Sequence, residues 1–376
     1  MSWCLSPVVC ITLIIPYVNG ESWVTANHGT PPVFTGLAPM KSGWSTKLFG
    51  VGNKYLQERY YSSGWIWANH WEPWGLQAGE HLASEPCVMY DGKLFIVSNY
   101  GRLFERYWSS GWQWSIHGKA PGSPNAVTLR PMCACKNIHG GRVFVVGTNF
   151  KLYERWWSYS SNSWQWRYHG SPPGTSIGPS AIDTCTDSGC TEIQVYLVAG
   201  NGYVYSRYIT AANPGTPSWY LVGKPSGKTA HSVRVSGGGL FVTTVDNYVC
   251  ERLSSTNWIC SRPSSTTSTP YRSTTLSKAV QVNNCPQLGG SAKYLFVNNW
   301  DGTTTTGGWF FIKPKPVNIR GKLWRLKVSG MSHNWVYHGT AAPCCYYHRP
   351  TIFMSGSCPK AFFVKSNGNV LEKYLP

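Results

Sequence analysis

The last repeat unit of this chain is incomplete, and the piece it lacks stands at the other end. Lys360–Val364 and Gly368–Tyr374 match Lys93–Val97 and Gly101–Tyr107, and the sequence then stops at Pro376, where a strand carrying Trp and His is due. The opening segment Trp23-Val-Thr-Ala-Asn-His28-Gly29 has the form of that strand, because Trp23 precedes His28 by the same interval as Trp112 precedes His117. An array whose two ends complete one another closes on itself. Closure removes both exposed sheet edges, and radial repetition of small antiparallel sheets is an architecture that allows it.

The unit is clearest over residues 86–122. Pro86–Tyr90 and Lys93–Val97 read as short apolar strands. Leu103–Trp108 alternates large apolar and charged residues, Ser109-Ser110-Gly111 supplies a turn, and Trp112–His117 alternates again before Gly118 and Pro121-Gly122 break the strand. Four short strands recurring every ~45 to 50 residues are the signature of a propeller blade. The first unit runs from Lys47 to His70 and the third from Arg142 to Gly170. The pattern then decays. In the fourth unit Val222 replaces the histidine, and in the fifth the last strand, Trp258-Ile-Cys260, has lost both His and Gly. A Ser/Thr-rich linker, Ser264 to Ser277, leads to a sixth unit that is interrupted over 303–320 and resumes to end at His338-Gly339. The expectation is an all-β chain: one seven-bladed β-propeller over 21–376, its four-stranded antiparallel blades closed by pairing the N-terminal strand (21–32) with the C-terminal blade.

Residues 1–20 read as a signal peptide. Val8–Ile15 is an apolar run of secretory length, Val18 and Gly20 suit a small-residue cleavage site, and no later run reaches membrane-spanning length. A secreted, extracellular product is therefore expected, with no membrane span and no nucleic-acid partner. Eleven cysteines remain after removal of Cys4 and Cys10, which suits an oxidising compartment and leaves one without an intrachain mate. Cys250 and Cys260 flank a hairpin turn, and Cys185 and Cys190 are placed to close a small loop. No C-x-x-C or H-x-x-x-H spacing marks a metal site and no phosphate loop appears, so neither metal nor cofactor is expected.

The recurring Glu105-Arg106-Tyr-Trp, Gly111-Trp-Gln-Trp and His117-Gly118 resemble the repeat of the PLL-type seven-bladed propeller lectins and, more loosely, of the tectonin and tachylectin propellers. The likeness covers most of 21–376 and is clearest in three or four units. It implies multivalent, non-catalytic binding of glycans, with fucose or related or methylated sugars held in pockets between neighbouring blades. The matching positions are Trp23, His28, Trp65, Trp67, His70, Trp108, Trp112, Trp114, His117, Trp157, Trp164, Trp166 and His169. For the tryptophans a core-filling role competes with that of a sugar platform, and for the histidines a turn-fixing hydrogen bond competes with donation to a sugar hydroxyl. The pairs Glu58-Arg59, Glu105-Arg106, Glu154-Arg155 and Glu251-Arg252 read as inter-blade bridges, since adjacent strand residues face opposite ways.

Two other functions stay open. An enzyme on a lectin-derived propeller would place a cyclase, lyase or hydrolase chemistry at the channel mouth, with His81, His139 and His231 in the connecting segments as general acid or base candidates. Alternatively, 33 Lys and Arg against 15 Asp and Glu give a charge of +18. With the basic tract Lys313, Lys315, Arg320, Lys322, Arg325 and Lys327, that charge would hold a wall-associated protein on acidic polysaccharide. The oligomeric state is not legible.

Overall fold

The computed structural model describes residues 24–29, 35–42, 45–89, 91–122, 132–134, 141–186, 192–210, 218–236, 239–263, 274–277, 280–282, 291–301, 320–340, 350–355, 357–365 and 368–375. They form seven antiparallel sheets arranged as a β-propeller. Blade 1 is Ala38–Ser42, Ser45–Gly52, Tyr55–Tyr61 and Trp65–Asn69; blades 2 to 5 repeat that order from Cys87, Met132, Ile177 and Ala230. In blade 6 two short segments, Thr274–Leu276 and Val280–Val282, share the inner edge of Ala292–Asp301. Blade 7 takes Thr351–Ser355, Cys358–Val364 and Val370–Tyr374 from the end of the chain and Val24–Asn27 from its start. Val24 pairs with Tyr374 and Asn27 with Leu371, so the expected closure is present.

Burial grades outward along each blade, and the sequence pattern follows from it. The second strand is covered by blades on both faces, and Leu94–Val97, Arg142–Val146 and Gly239–Thr244 are buried at every position. Such strands read as continuous apolar runs. The outermost strand is only half-covered, as in Trp112–Gly118, where Trp114 and His117 alone are buried. Seven apolar clusters among the described residues each straddle a blade interface. Phe49 and Leu56 meet Leu94 and Phe104 between blades 1 and 2, and Tyr294 and Phe296 meet Ala361 and Phe363 between blades 6 and 7. At about 1.5–3 kcal/mol for each large side chain fully buried, these clusters are what fasten blade to blade.

Strand direction assigns the loops to two ends. The turns between second and third strands share one end with the connections that lead to the next blade. The turns between third and fourth strands, such as Ser109–Gly111, lie at the other. Residues 302–319 of the blade 6 insertion lie outside the described residues; the flanking strands pair as far as Asp301 and Arg320. Trp23, His139, Cys190, Lys313, Lys315 and residues 1–20 also lie outside the described residues. No described helix is long and apolar enough to cross a membrane.

Candidate functional site

In the regular blades Glu and Arg are neighbours on the third strand, and they look toward different blades. His28 donates from Nε2 to Glu372 at 2.8 Å, His70 to Glu58 at 2.7 Å, His117 to Glu105 at 2.8 Å and His169 to Glu154 at 2.8 Å, each within one blade. Nδ1 of the same rings accepts from an arginine of the following blade: Arg59 on His28 at 3.3 Å, Arg106 on His70 at 3.3 Å, Arg155 on His117 at 3.2 Å and Arg207 on His169 at 3.0 Å. A carboxylate only accepts and a guanidinium only donates, so the imidazole between them is neutral and protonated on Nε2. Four Glu–His–Arg relays thus join blades 7 to 1, 1 to 2, 2 to 3 and 3 to 4.

The electrostatics agree. Burial pushes His117 and His169 below the ordinary imidazole value, with Arg155 and Arg207 adding to it against the pull of Glu105 and Glu154. Burial pushes the Glu105 carboxyl up, yet the His117 hydrogen bond and the Lys93 charge together hold it low. Burial brings Arg106 and Arg155 down to about 10. Each histidine is buried, and its ring bridges blades rather than fixing the turn. The turn belongs to the next residue, which has a left-handed φ: +66° at Gly29, +72° at Gly118, +71° at Gly170 and +104° at Gly223, where Val222 stands in place of histidine.

The tryptophans divide by register into three kinds. Trp67, Trp114 and Trp166 donate their indole N–H to the backbone carbonyl of the preceding blade's histidine, at 2.9, 3.3 and 3.2 Å, and each packs under the arginine directly across the strand pair. Trp65, Trp112 and Trp164 stand edge-on to the histidine of the preceding blade, 4.8–5.0 Å between centroids, and are only half-buried. Tyr61, Trp108 and Trp157 meet them edge-on from the adjacent strand, and Tyr61 and Trp108 are largely exposed.

Trp112 and Trp164, of the second kind, each lie beside a lysine of the preceding blade, and a third lysine lies beside Tyr374. Lys47 lies 2.8 Å from Glu58 and reaches over both Tyr60 and Trp112; Lys93 lies 3.1 Å from Glu105 and over Trp164; Lys360 lies 3.0 Å from Glu372 and over Tyr374. These lysines remain a quarter to a third exposed, at 26, 30 and 33%. An ammonium has three donors. Each lysine is held by ion pairing with its glutamate, Lys93 also lies 3.9 Å from Asp91, and the exposed part of each ammonium faces the aromatic wall.

The other interfaces are built differently. Between blades 4 and 5, Ser206 and Val222 occupy the Glu and His registers. Between blades 5 and 6, Ser261 takes the histidine's place and His333 enters from blade 6 at the register of Trp112. Ser261 donates to His333 Nδ1 at 2.7 Å and accepts from the Trp335 indole at 2.9 Å, while His333 Nε2 lies 3.8 Å from Glu251. Lys293, also from blade 6, reaches Glu251 at 2.7 Å past Gly239, where a Cβ would lie 3.2 Å from its Nζ. Between blades 6 and 7 the sign inverts: Arg325 replaces the glutamate, Tyr294 replaces the lysine and receives it as a cation–π contact at 5.4 Å, and Lys373 replaces the arginine. Burial, with Arg325 and Lys373 nearby, pushes His338 down to about 3.

Of the enzyme candidates, His81 lies half-buried in the blade 1–2 connection, its backbone N–H on Asn99. His231 is the second residue of the inner strand of blade 5, with its imidazole held low by burial. The spacing Gly174-Thr-Ser176-Ile-Gly178 matches a nucleophile elbow. Its context is a connection entering a strand, with no helix after Ser176 to make the strained turn such an elbow needs. Among the described residues no group of three or more His, Cys, Asp or Glu is placed to hold a metal ion. Cys250 and Cys260 are directly paired across their hairpin and disulfide-bonded; Cys87 and Cys358 are disulfide-bonded as well.

No family model matches the chain, and no curated protein matches its sequence. Solved structures do match its fold. YCF48 bound to D1 peptide aligns with a TM-score of 0.57 at 15% identity, covering 94% of this chain and 95% of that one. BBS1N in complex with ARL6DN aligns at 0.57 and 9% identity, covering 94% and 97%. SapL1 lectin in complex with alpha methyl fucoside aligns at 0.43 and 15% identity, covering 84% and 97%. At these identities the first two share the propeller fold and nothing finer.

Proposed function

We propose that this chain is a secreted, non-catalytic glycan-binding propeller whose sites are the crevices between blades 7 and 1, 1 and 2, and 2 and 3. One observation carries the reading: at the same register in three interfaces, a partly exposed lysine anchored on a buried glutamate stands beside half-exposed aromatic rings. Sugar sites need this combination, a flat apolar wall for the C–H face and a few oriented hydrogen-bonding groups for the hydroxyls. Three similar weak sites on one ring give avidity on a surface that displays many copies of a ligand. The disulfide-bonded Cys87, Cys250, Cys260 and Cys358 suit an oxidising compartment and so support secretion.

The test is a glycan array probed with the purified protein at low and high salt. Stacking on an uncharged sugar survives salt, whereas attraction of a +18 surface for acidic polysaccharide collapses. Salt-resistant signal that falls when Lys47, Lys93 and Lys360 are changed together to Met supports the crevices. Signal that vanishes in salt replaces this reading with polyanion binding.

A further inference from the structure

Every described blade end with the histidine, or its valine substitute, is followed by glycine except one. At that register blade 1 holds Trp71, with φ +56°. A bulky residue in the left-handed region is an outlier that persists only when its surroundings impose it, and such outliers gather at binding sites. Trp71 gains little burial there: it is 68% exposed, as is Trp74 three residues on. Asn69 Oδ1 accepts from the Trp71 N–H at 2.8 Å, and the Tyr55 ring meets the indole edge-on at 6.3 Å.

The backbone that carries these indoles is fixed. Arg102 donates to the Gly75 carbonyl at 2.7 Å and to Glu80 at 2.9 Å, and buried Glu80 also accepts from the Gln77 N–H at 3.0 Å and from Ser98 at 2.5 Å. Tyr100 donates to the Ala78 carbonyl at 2.9 Å. A Cβ on Gly75 would stand 2.9 Å from Ile116, so the loop is pressed onto blade 2, and Leu76 packs into the core between blades 1 and 2.

We propose that Trp71 and Trp74 form a second carbohydrate site, a platform for a neutral pyranose whose hydroxyls donate to Glu72. The openness of both indoles fits a ring laid flat rather than a cation enclosed in an aromatic cage. Glu72, exposed and standing between them in sequence, accepts hydroxyl protons and repels carboxylate- or sulfate-bearing sugars. The platform lies at the end of the propeller with the inter-blade connections, whereas the aromatic crevices flank turns such as Ser109–Gly111 at the other end. It rests on the glycan-binding reading above but on none of its residues.

The experiment compares wild type, Trp71→Gly, Glu72→Gln and Trp112→Ala on one array of neutral, sialylated and sulfated oligosaccharides. Trp71→Gly introduces the residue that five other blade ends carry, and thermal melting checks that the fold is retained. The expected result is a loss of about tenfold or more, the scale of one stacking contact, on a set of neutral glycans that Trp112→Ala still binds. Glu72→Gln is expected to admit acidic glycans. A Trp71→Gly profile identical to wild type overturns the platform while leaving the crevices standing, and a wild type that binds no glycan overturns both.

Discussion

Blades 7, 1, 2 and 3 and blades 4, 5 and 6 have the same fold and hold their neighbours by different means. In the first group a buried Glu–His–Arg relay crosses every interface out to blade 4. In the second the parts are apolar at Val222, exchanged between blades at Ser261 and His333, or inverted in sign at Arg325. The ring closes equally well in both halves. The relay is therefore one solution to joining blades and not a condition of the propeller. What distinguishes interfaces 7–1, 1–2 and 2–3 is that relay, lysine and half-exposed aromatic residues occur together there: the 3–4 interface has Arg142 in place of the lysine, and the 5–6 interface has Lys293 on Glu251 but no relay histidine of its own.

The sharpest way to break this comparison is to remove the same register from each half. Glu154 is fully buried and is the shared acceptor of His169, Arg142 and Arg167. Glu154→Ala leaves the buried Arg142 and the half-buried Arg167 guanidinium groups without this counter-charge, and a cost of about 3–5 kcal/mol is expected. Ser206→Ala, the equivalent change in blade 4, removes one hydrogen bond from Gln194 and should cost about 1 kcal/mol. Urea unfolding of the two variants decides it, and equal losses would abolish the distinction between the halves.

The disulfide of blade 5 comes next. Cys250 and Cys260 close a loop with a sequence separation of 10 in a blade that lacks a histidine relay of its own, and such a loop is worth about 3 kcal/mol in the chain-entropy account. Changing both to Ala should lower stability by that order, with hydrogen exchange rising first in blade 5. Exchange that rises first in blades 1 to 3 would show that the bond does not compensate for local loss.

Acid should sort the interfaces in a third way. His117, His169 and His338 titrate lower in the folded protein than when unfolded, as do Glu105 and Glu154. A depressed folded value means stability that is present above the unfolded value and lost as pH falls through the folded one. The loss thus begins below 6.5 for the imidazoles and below 4.5 for the carboxylates, and for His338 it continues to about 3. His338→Gln should flatten the decline of the urea midpoint between pH 6.5 and 4 more than His117→Gln does. A decline of unchanged steepness in His338→Gln would remove the blade 6–7 interface from the account.

Much of the ring was legible because period and alternation are properties of the chain itself. The missing strand after Tyr374, the seven units and the Cys250–Cys260 pairing all follow from spacing. The Glu-Arg neighbours were legible as inter-blade bridges, but not the imidazole between them, because that partnership joins residues of three strands in two blades. The exchange of Ser261 with His333 was hidden for the same reason: each substitution reads as decay until the facing blade is beside it. The three kinds of tryptophan look alike in sequence and separate only when each indole's neighbour is known. Trp71 was passed over because it stands where the repeat ends, and a repeat directs attention to what recurs.

Trp71 also supplies the smallest expected effect, and a comparison within the regular half. Gly29, Gly118 and Gly170 hold the left-handed conformation without strain, whereas an indole-bearing residue there costs about 1–2 kcal/mol. Trp71→Gly removes that strain but adds about 0.5–1 kcal/mol of unfolded-state entropy and loses the contact with Tyr55. The net change should lie between zero and about 1 kcal/mol of stabilisation, read as an unchanged or slightly raised Tm. A clear fall in Tm would mean that Trp71 is held for packing. An unchanged or raised Tm means that blade 1 keeps a residue its own stability does not require, as expected of a side chain retained for what it touches outside the protein.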